Sequence, residues 1–223
     1  MTSARFLRRP AELVIELLTV GHVEGLRHLP TAGPCILVAN HLSFFDAVVI
    51  YALAGGDNLT GWAAEKWENN LIFGTFLRLG NAVFIQRGQV DRHALEHAAD
   101  WLRAGKIFGM TPEGTRSLDG ALGRARPGVA YLASLVDCPI VPIAHWGTEA
   151  TWSNWMRLRR PRIEVRIGAP FRLAALSPDD RSGSLRRNAD EVMCHLAALM
   201  PLERRGLYAG HPRLEALLAD AAA

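Results

Sequence analysis

No stretch of this 223-residue sequence reaches the ~18 uncharged apolar residues of a membrane-crossing helix, so none is expected within it. Residues 10–20 are apolar, but Glu12 and Glu16 interrupt them and no small-residue cleavage site follows, which argues against a signal peptide. Lysine is almost missing: it stands only at Lys66 and Lys106, and all other basic side chains are arginine. Cysteine is scarce. Cys35, Cys138 and Cys194 are odd in number and widely spaced, which excludes a disulfide framework and fits small core residues in a reducing compartment. There is no G-x-S-x-G elbow, so the usual serine nucleophile of an α/β sheet is absent. No internal repeat and no nucleic-acid-binding motif accompany the net charge of +3.

The residues present are those of a globular chain, 49% hydrophobic and 21% charged, long enough for one full core. We read residues 1–223 as one domain: a helical segment over 1–22, an α/β core over 23–172 and a helical region over 173–223. A helix is expected over 10–21 with Pro10 in its first turn and Leu13, Leu17 and Val20 on one side, suited to lying on a membrane. Strands are expected over Cys35–Ala39, Gly61–Ala64, Asn81–Arg87, Lys106–Met110, Pro139–Ala144 and Ile163–Ile167. Between them come helices up to Gly55-Gly56 and over 71–79, 91–104 and 128–136; a late helix over 185–200 precedes a polar tail. Strands alternating with helices imply a mostly parallel sheet flanked by helices, with ligands at the carboxyl ends of the strands. Arg157, Arg159, Arg160, Arg162 and Arg166 follow Trp152 and Trp155, a mixture that suits a membrane surface before a merely solvated edge, and nucleic acid last.

The first expected strand ends in Asn40-His41-Leu42-Ser43-Phe44-Phe45-Asp46. Residues i and i+5 of one helix point about 140° apart, since each residue turns about 100°. His41 and Asp46 meet only if the histidine lies on the turn before the helix and the aspartate on its first turn. That gives a base with a carboxylate to orient it. The competing reading is a capping box, Ser43-x-x-Asp46, with His41 an ordinary turn residue.

Three further strand ends are polar: Phe84-Ile85-Gln86-Arg87-Gly88, Thr111-Pro112-Glu113-Gly114-Thr115-Arg116-Ser117, and Val141-Pro142-Ile143 running into His145-Trp146-Gly147-Thr148. An arginine at a buried strand end is costly unless it is paired or faces a ligand. Arg87 with Asp91, and Arg116 with Glu113, would be structural pairs. Two arginines converging with Gly114, Thr115 and Ser117 would instead cradle a phosphate.

Taken in order, these blocks resemble the glycerolipid acyltransferase family, whose best-known members are the 1-acyl-glycerol-3-phosphate acyltransferases. The N-H-x-x-x-x-D block is Asn40–Asp46, the F-[IV]-x-R block ends at Arg87, P-E-G-T-R-S is complete at Pro112–Ser117, and V-P-[IV] is Val141–Ile143. Lys66-x-Glu68 resembles the family's lysine-bearing segment. The likeness covers roughly residues 23–172. Departures are Gln86 where aspartate is common, Arg126 where lysine is common, and Trp67 with Asn69-Asn70 around Lys66.

The resemblance implies the family's α/β fold and acyl transfer from acyl-CoA or acyl carrier protein to the free hydroxyl of a glycerol-phosphate lipid, foremost 1-acyl-glycerol-3-phosphate. Glycerol 3-phosphate or another lysolipid is the alternative acceptor. His41 would be the base and Asp46 its orienting partner. Arg87, Gly114, Thr115 and Arg116, with Lys66 and Arg126, would bind substrate. Glu113 would make a second polar contact to the acceptor or, the favoured reading, orient Arg116, and backbone N–H groups near Gly114 or Val141 are the candidate oxyanion donors. No metal, cofactor or nucleic acid is implied. The expected place is the cytoplasm or, peripherally, the cytoplasmic face of the membrane. Rival classes are a thioesterase with His41 activating water, a non-catalytic lipid-binding protein, and a zinc peptidase using His93-Ala94-Leu95-Glu96-His97. The last motif also reads as the polar face of an amphipathic helix. His22, His28, His145, His195 and His211 read as structural or surface residues, with His145 set apart because it follows the fourth strand.

Overall fold

The computed structural model of the protein describes residues 5–86 and 92–222. In chain order the elements are α1 (Arg5–Leu18), β1 (Val20–Glu24), β2 (Cys35–Ala39), α2 (Asp46–Ala54), β3 (Leu59–Ala64), α3 (Phe73–Leu79), β4 (Val83–Ile85), α4 (Arg92–Arg103), β5 (Ile107–Met110), α5 (Gly128–Val136), β6 (Ile140–Trp146), α6 (Thr151–Trp155), β7 (Arg162–Ile167), α7 (Arg181–Leu199) and α8 (Pro212–Ala222). Seven strands make one sheet in the order β1-β7-β6-β2-β5-β3-β4. Every pairing is parallel except β6 with β7. The mostly parallel α/β architecture expected from the alternation of strands and helices is therefore the one found.

β2 shows why a central strand reads as an unbroken apolar run. Ile36 and Val38 face a core shared with α4, α5 and α7, whereas Cys35, Leu37 and Ala39 face a second core shared with α1 and α2. A sheet covered on both faces needs apolar side chains at both phases of its period of two. All three cysteines are buried free thiols, and burial pushes the Cys35 thiol up to about 12, which keeps it inert.

Three expectations are corrected. The first helix ends at Leu18, not residue 21, and Pro10 lies inside it rather than in a first turn beginning at residue 10. Thr19 closes this helix on the Ile15 carbonyl, and the Val20 N–H is then taken by the Pro161 carbonyl, starting β1 beside β7. Sheet pairing thus claims Val20 and Gly21, which the apolar pattern had assigned to the helix. The late helix begins at Arg181 because the Asp180 side chain caps it by accepting the Gly183 N–H. The polar tail contains α8, whose Leu214 is fully buried among the α7 side chains.

Candidate active site

The carboxyl ends of β2, β5, β6 and β3 meet at one edge of the sheet, and every described residue of the strand-end motifs lies there. Asn40 locks the first two ends together. Its side-chain amide donates to the His145 carbonyl at 2.8 Å, and its side-chain oxygen accepts the His145 N–H at 2.9 Å. This bolt between β2 and β6 fixes where the turn to α2 begins.

On that turn His41 Nδ1 lies 2.8 Å from Asp46 Oδ2. A carboxylate only accepts, so Nδ1–H donates, and the lone pair of the neutral ring is the one on Nε2. The same Oδ2 accepts the N–H groups of Leu42 and Ser43, while Oδ1 accepts the hydroxyls of Ser43 and, at 2.6 Å, Thr148. Asp46 is the first residue of α2, where the helix dipole also favours a negative charge. Burial opposes its ionisation. The nearby His145 ring and the hydrogen bonds from His41 and Thr148 outweigh that and hold the carboxyl at about 2. The Ser43 capping box forms only in part. Phe45, not Ser43, is the N-cap of α2; Ser43 Oγ accepts the Phe45 N–H, and Asp46 supplies the return bond to the backbone. Asp46 therefore orders the turn and orients His41 at once.

The histidine side chain is 22% exposed, and three cavities share it. One, of about 190 Å³, is mostly apolar, bounded by Leu37, Ile50, Leu59, Phe76 and Leu77 between α2, α3 and the sheet. A second, of about 140 Å³, is bounded by Pro112, Gly114 and Arg126, and a third, of about 100 Å³, by Phe44, Trp67, Phe73 and Arg116. Neither Arg116 nor Arg126 makes an ion pair with a described residue. Arg126 lies over Gly114, whose φ of 68° favours glycine; a Cβ there would stand 2.8 Å from the arginine Cδ and Nε. Lys66 is exposed at the rim, its ammonium 5.2 Å from the Trp67 ring. Thr115 is exposed on the same loop as Arg116, and Ser117 anchors that loop by donating its N–H to the His41 carbonyl at 2.8 Å. Arg87 and its suggested partner Asp91 lie outside the described residues; Ile85, two positions before Arg87, borders the second cavity.

Two expectations fail at the site. Glu113 does not orient Arg116: its side chain turns inward, where Oε2 accepts the Gly123 N–H at 3.2 Å and Oε1 has no partner. Burial raises its carboxyl above the ordinary range, against the pull of the Gly123 and His41 N–H groups. Of the suggested oxyanion donors, Gly114 and Val141 themselves do not fit. The Gly114 N–H is bonded to the Thr111 carbonyl, and Val141 lies fully buried in mid-strand. The contacts of Thr148 and of the His145 ring with Asp46 were not found from sequence, since both depend on β6 lying beside β2. His93, Glu96 and His97 sit exposed on α4, and among the described residues no three His, Cys, Asp or Glu side chains gather into a metal-binding group.

An imidazole held by a carboxylate at one strand end of a mostly parallel α/β sheet, open to three cavities, is an arrangement that can take a proton from a bound substrate. The family follows from the comparison of sequences: the chain belongs to the acyltransferase family, whose model matches residues 21–146. A chloroplastic 1-acyl-sn-glycerol-3-phosphate acyltransferase of Brassica napus is 30% identical over 131 residues, 56% of this chain and 37% of that one. The alpha form from Ovis aries is 26% identical over 169 residues, 71% of this chain and 56% of that one. The chain thus spans between about a third and just over half of these relatives. The crystal structure of the 1-acyl-sn-glycerophosphate acyltransferase PlsC from Thermotoga maritima shares the fold, with a TM-score of 0.61 at 23% identity over 85% of this chain and 78% of that one.

Proposed function

We propose that this protein transfers a fatty acyl group from acyl-CoA or acyl carrier protein to the free hydroxyl of 1-acyl-glycerol-3-phosphate, forming phosphatidic acid. The carrying observation is that one imidazole is common to an apolar cavity and to two cavities bordered by arginines that make no ion pair with a described residue. A substrate with a long chain and a phosphate monoester matches both kinds of wall. His41 Nε2 takes the proton of the acceptor hydroxyl as its oxygen attacks the thioester carbonyl. Asp46 stabilises the imidazolium that results. Collapse of the tetrahedral intermediate expels the thiolate, which recovers the proton from His41. Arg116 and Arg126, with Arg87 by resemblance, hold the phosphate; Lys66 sits at the entrance. The reaction so written needs no metal or prosthetic group.

The test is an acceptor panel with one acyl-CoA, read by lipid mass spectrometry. Phosphatidic acid formed from lysophosphatidic acid is the expected product. Free fatty acid without acylated lipid would instead mark a thioesterase, and no turnover with any acceptor a binding protein. Arg116→Ala is expected to raise KM for lysophosphatidic acid about tenfold or more, the worth of one charge-assisted contact of about 1.5–3 kcal/mol, with KM for the acyl donor unchanged. An unchanged acceptor KM would remove Arg116 from the phosphate site.

The membrane surface enters as the source of the acceptor. No helix among the described residues is long and apolar enough to cross a bilayer. Yet Leu71, Ile72, Leu118, Trp152 and Met156 are all exposed on loops or short helices that follow β3, β5 and β6. β7 runs against β6, and β1 runs with β7, so Val20, beside Arg162, reaches this same end of the sheet, with Leu17 and Leu18 just before it. Exposed Arg157 and Arg159 lie among them. An apolar rim with arginines around the site suits peripheral docking on an anionic bilayer, with the cytoplasmic face of the cell membrane as the proposed place. Trp152→Ser with Met156→Ser is expected to abolish sedimentation with phosphatidylglycerol vesicles while leaving turnover of a short-chain, soluble acceptor intact. Full vesicle binding by that variant would put the docking face elsewhere.

A further inference from the structure

His145 is fully buried, and the reaction as written gives it no part. Its Nε2 lies 3.0 Å from the Asn40 carbonyl, which can only accept, so Nε2 carries a proton. The other ring nitrogen, Nδ1, has no hydrogen-bond partner among the described residues and points at Asp46, 3.9 Å from Oδ1. A lone pair there would face a carboxylate oxygen in a sealed site; a proton turns that repulsion into attraction.

We propose that His145 holds this second proton and acts, through Asp46, as a positioning residue that keeps His41 free to serve as base. Asp46 receives five hydrogen bonds, four of them from neutral backbone and hydroxyl donors and the fifth from His41. Without a second cation the buried charge of Asp46 would fall wholly on His41 and keep it protonated, which is the wrong state for a base. An imidazolium on the far side balances that charge and leaves His41 Nε2 open. Burial of Asp46 is overcome partly by His145 itself, in keeping with this placement.

The groups around His145 leave Asp46 as its counter-charge. From β2 it meets Asn40 and, through Asp46, His41. β7 turns Ile163, Val165 and Ile167 to the α1 and α2 side and carries Arg162, Glu164 and Arg166 at the alternate positions. On α1, Glu12 is bonded to Arg8 and Arg9, and Glu16 is exposed. Glu149, beyond the turn after β6, pairs with Arg204 at 2.8 Å.

Two measurements test the proposal, which rests on His41 being the base. Nitrogen-15 NMR of histidine-labelled wild-type protein at pH 7 is expected to show both His145 ring nitrogens protonated; an unprotonated Nδ1 overturns the proposal. This reading needs no turnover, so it decides the state of His145 even if acyl transfer to lysophosphatidic acid fails. In acyl-transfer assays across pH 5.5–9, His145→Gln, which keeps an N–H for the Asn40 carbonyl, is expected to move the acid limb of kcat/KM upward. The loss then approaches about tenfold at pH 5.5, and activity stays within about threefold of wild type at pH 9, as a displacement of about one pH unit requires. A loss equal at every pH, or an acid limb that does not move, marks His145 as a packing residue and overturns the proposal.

Discussion

Replacing His41 by alanine is expected to lower kcat by about 10²–10⁴, the usual contribution of a positioned general base, with KM for acyl donor and acceptor little changed. In the proposed reaction the base acts in the transition state and makes none of the contacts that would hold the phosphate or the acyl chain. Loss in kcat and in kcat/KM should therefore be equal. The fold should survive, because Asp46 keeps its bonds from Leu42, Ser43 and Thr148, and because the histidine side chain is partly solvent-exposed. Steady-state rates at saturating acyl-CoA, with a circular dichroism melt beside them, check both parts. A folded variant that retains more than about a tenth of wild-type kcat would remove His41 as the base.

The pair at the centre of the site was legible because it is local. His41 and Asp46 are five residues apart, and the condition that one precede the helix and the other begin it is met by α2 starting at Asp46. The central strand was equally legible: Cys35–Ala39 is apolar at every position, and the structure gives it those bounds. The same holds for the α5 helix over Gly128–Val136. What the sequence hid depends on contacts between distant segments. Asn40 and Thr148 matter because β6 lies beside β2, which brings together residues more than a hundred positions apart. Glu113 was misread for a local reason. A carboxylate and an arginine three residues apart meet on a helix, but the chain turns at Gly114 with a positive φ and sends Glu113 inward and Arg116 out to the cavity. β1, expected as a short strand or loop only from Val23 onward, and α8, which was missed, are decided by pairing with β7 and packing on α7, not by their own patterns.

Architecture and chemistry are linked through the strand order. β2 sits between β5 and β6, so loops from the ends of both neighbours converge on the turn that carries His41. The loop after β5 brings Gly114 and Arg116 and is tied to the His41 carbonyl by Ser117; the turn after β6 brings Thr148 to Asp46. That turn passes through Gly147 at a φ of 94°, where a Cβ would stand 2.0 Å from the Arg162 carbonyl oxygen. Only a residue without a side chain lets β7 return so closely beside β6, and so lets Thr148 reach the carboxylate.

Asp46→Asn separates the charge of the carboxylate from its shape. Three N–H groups converge on Oδ2, from His41, Leu42 and Ser43, so an asparagine must place its oxygen there and its amide nitrogen at the Oδ1 position. The hydroxyls of Ser43 and Thr148, which donate to Oδ1, can rotate and accept instead. His41 would then keep its tautomer, and what is lost is the negative charge that steadies the imidazolium. Activity is expected to fall between about 10² and 10⁴ in kcat, nearer the lower figure than where the same exchange also reverses the tautomer. Stability should change with a definite sign in pH. Asp46 is held at about 2, below its ordinary 3.8, so its ionised form contributes roughly 2 kcal/mol at neutral pH. That contribution is present above about pH 4 and fades as pH falls through about 2. The wild type should therefore melt higher than Asp46→Asn at pH 7, and the difference should shrink towards pH 2. Equal differences at both pH values would show that the carboxylate acts on the fold through its shape alone.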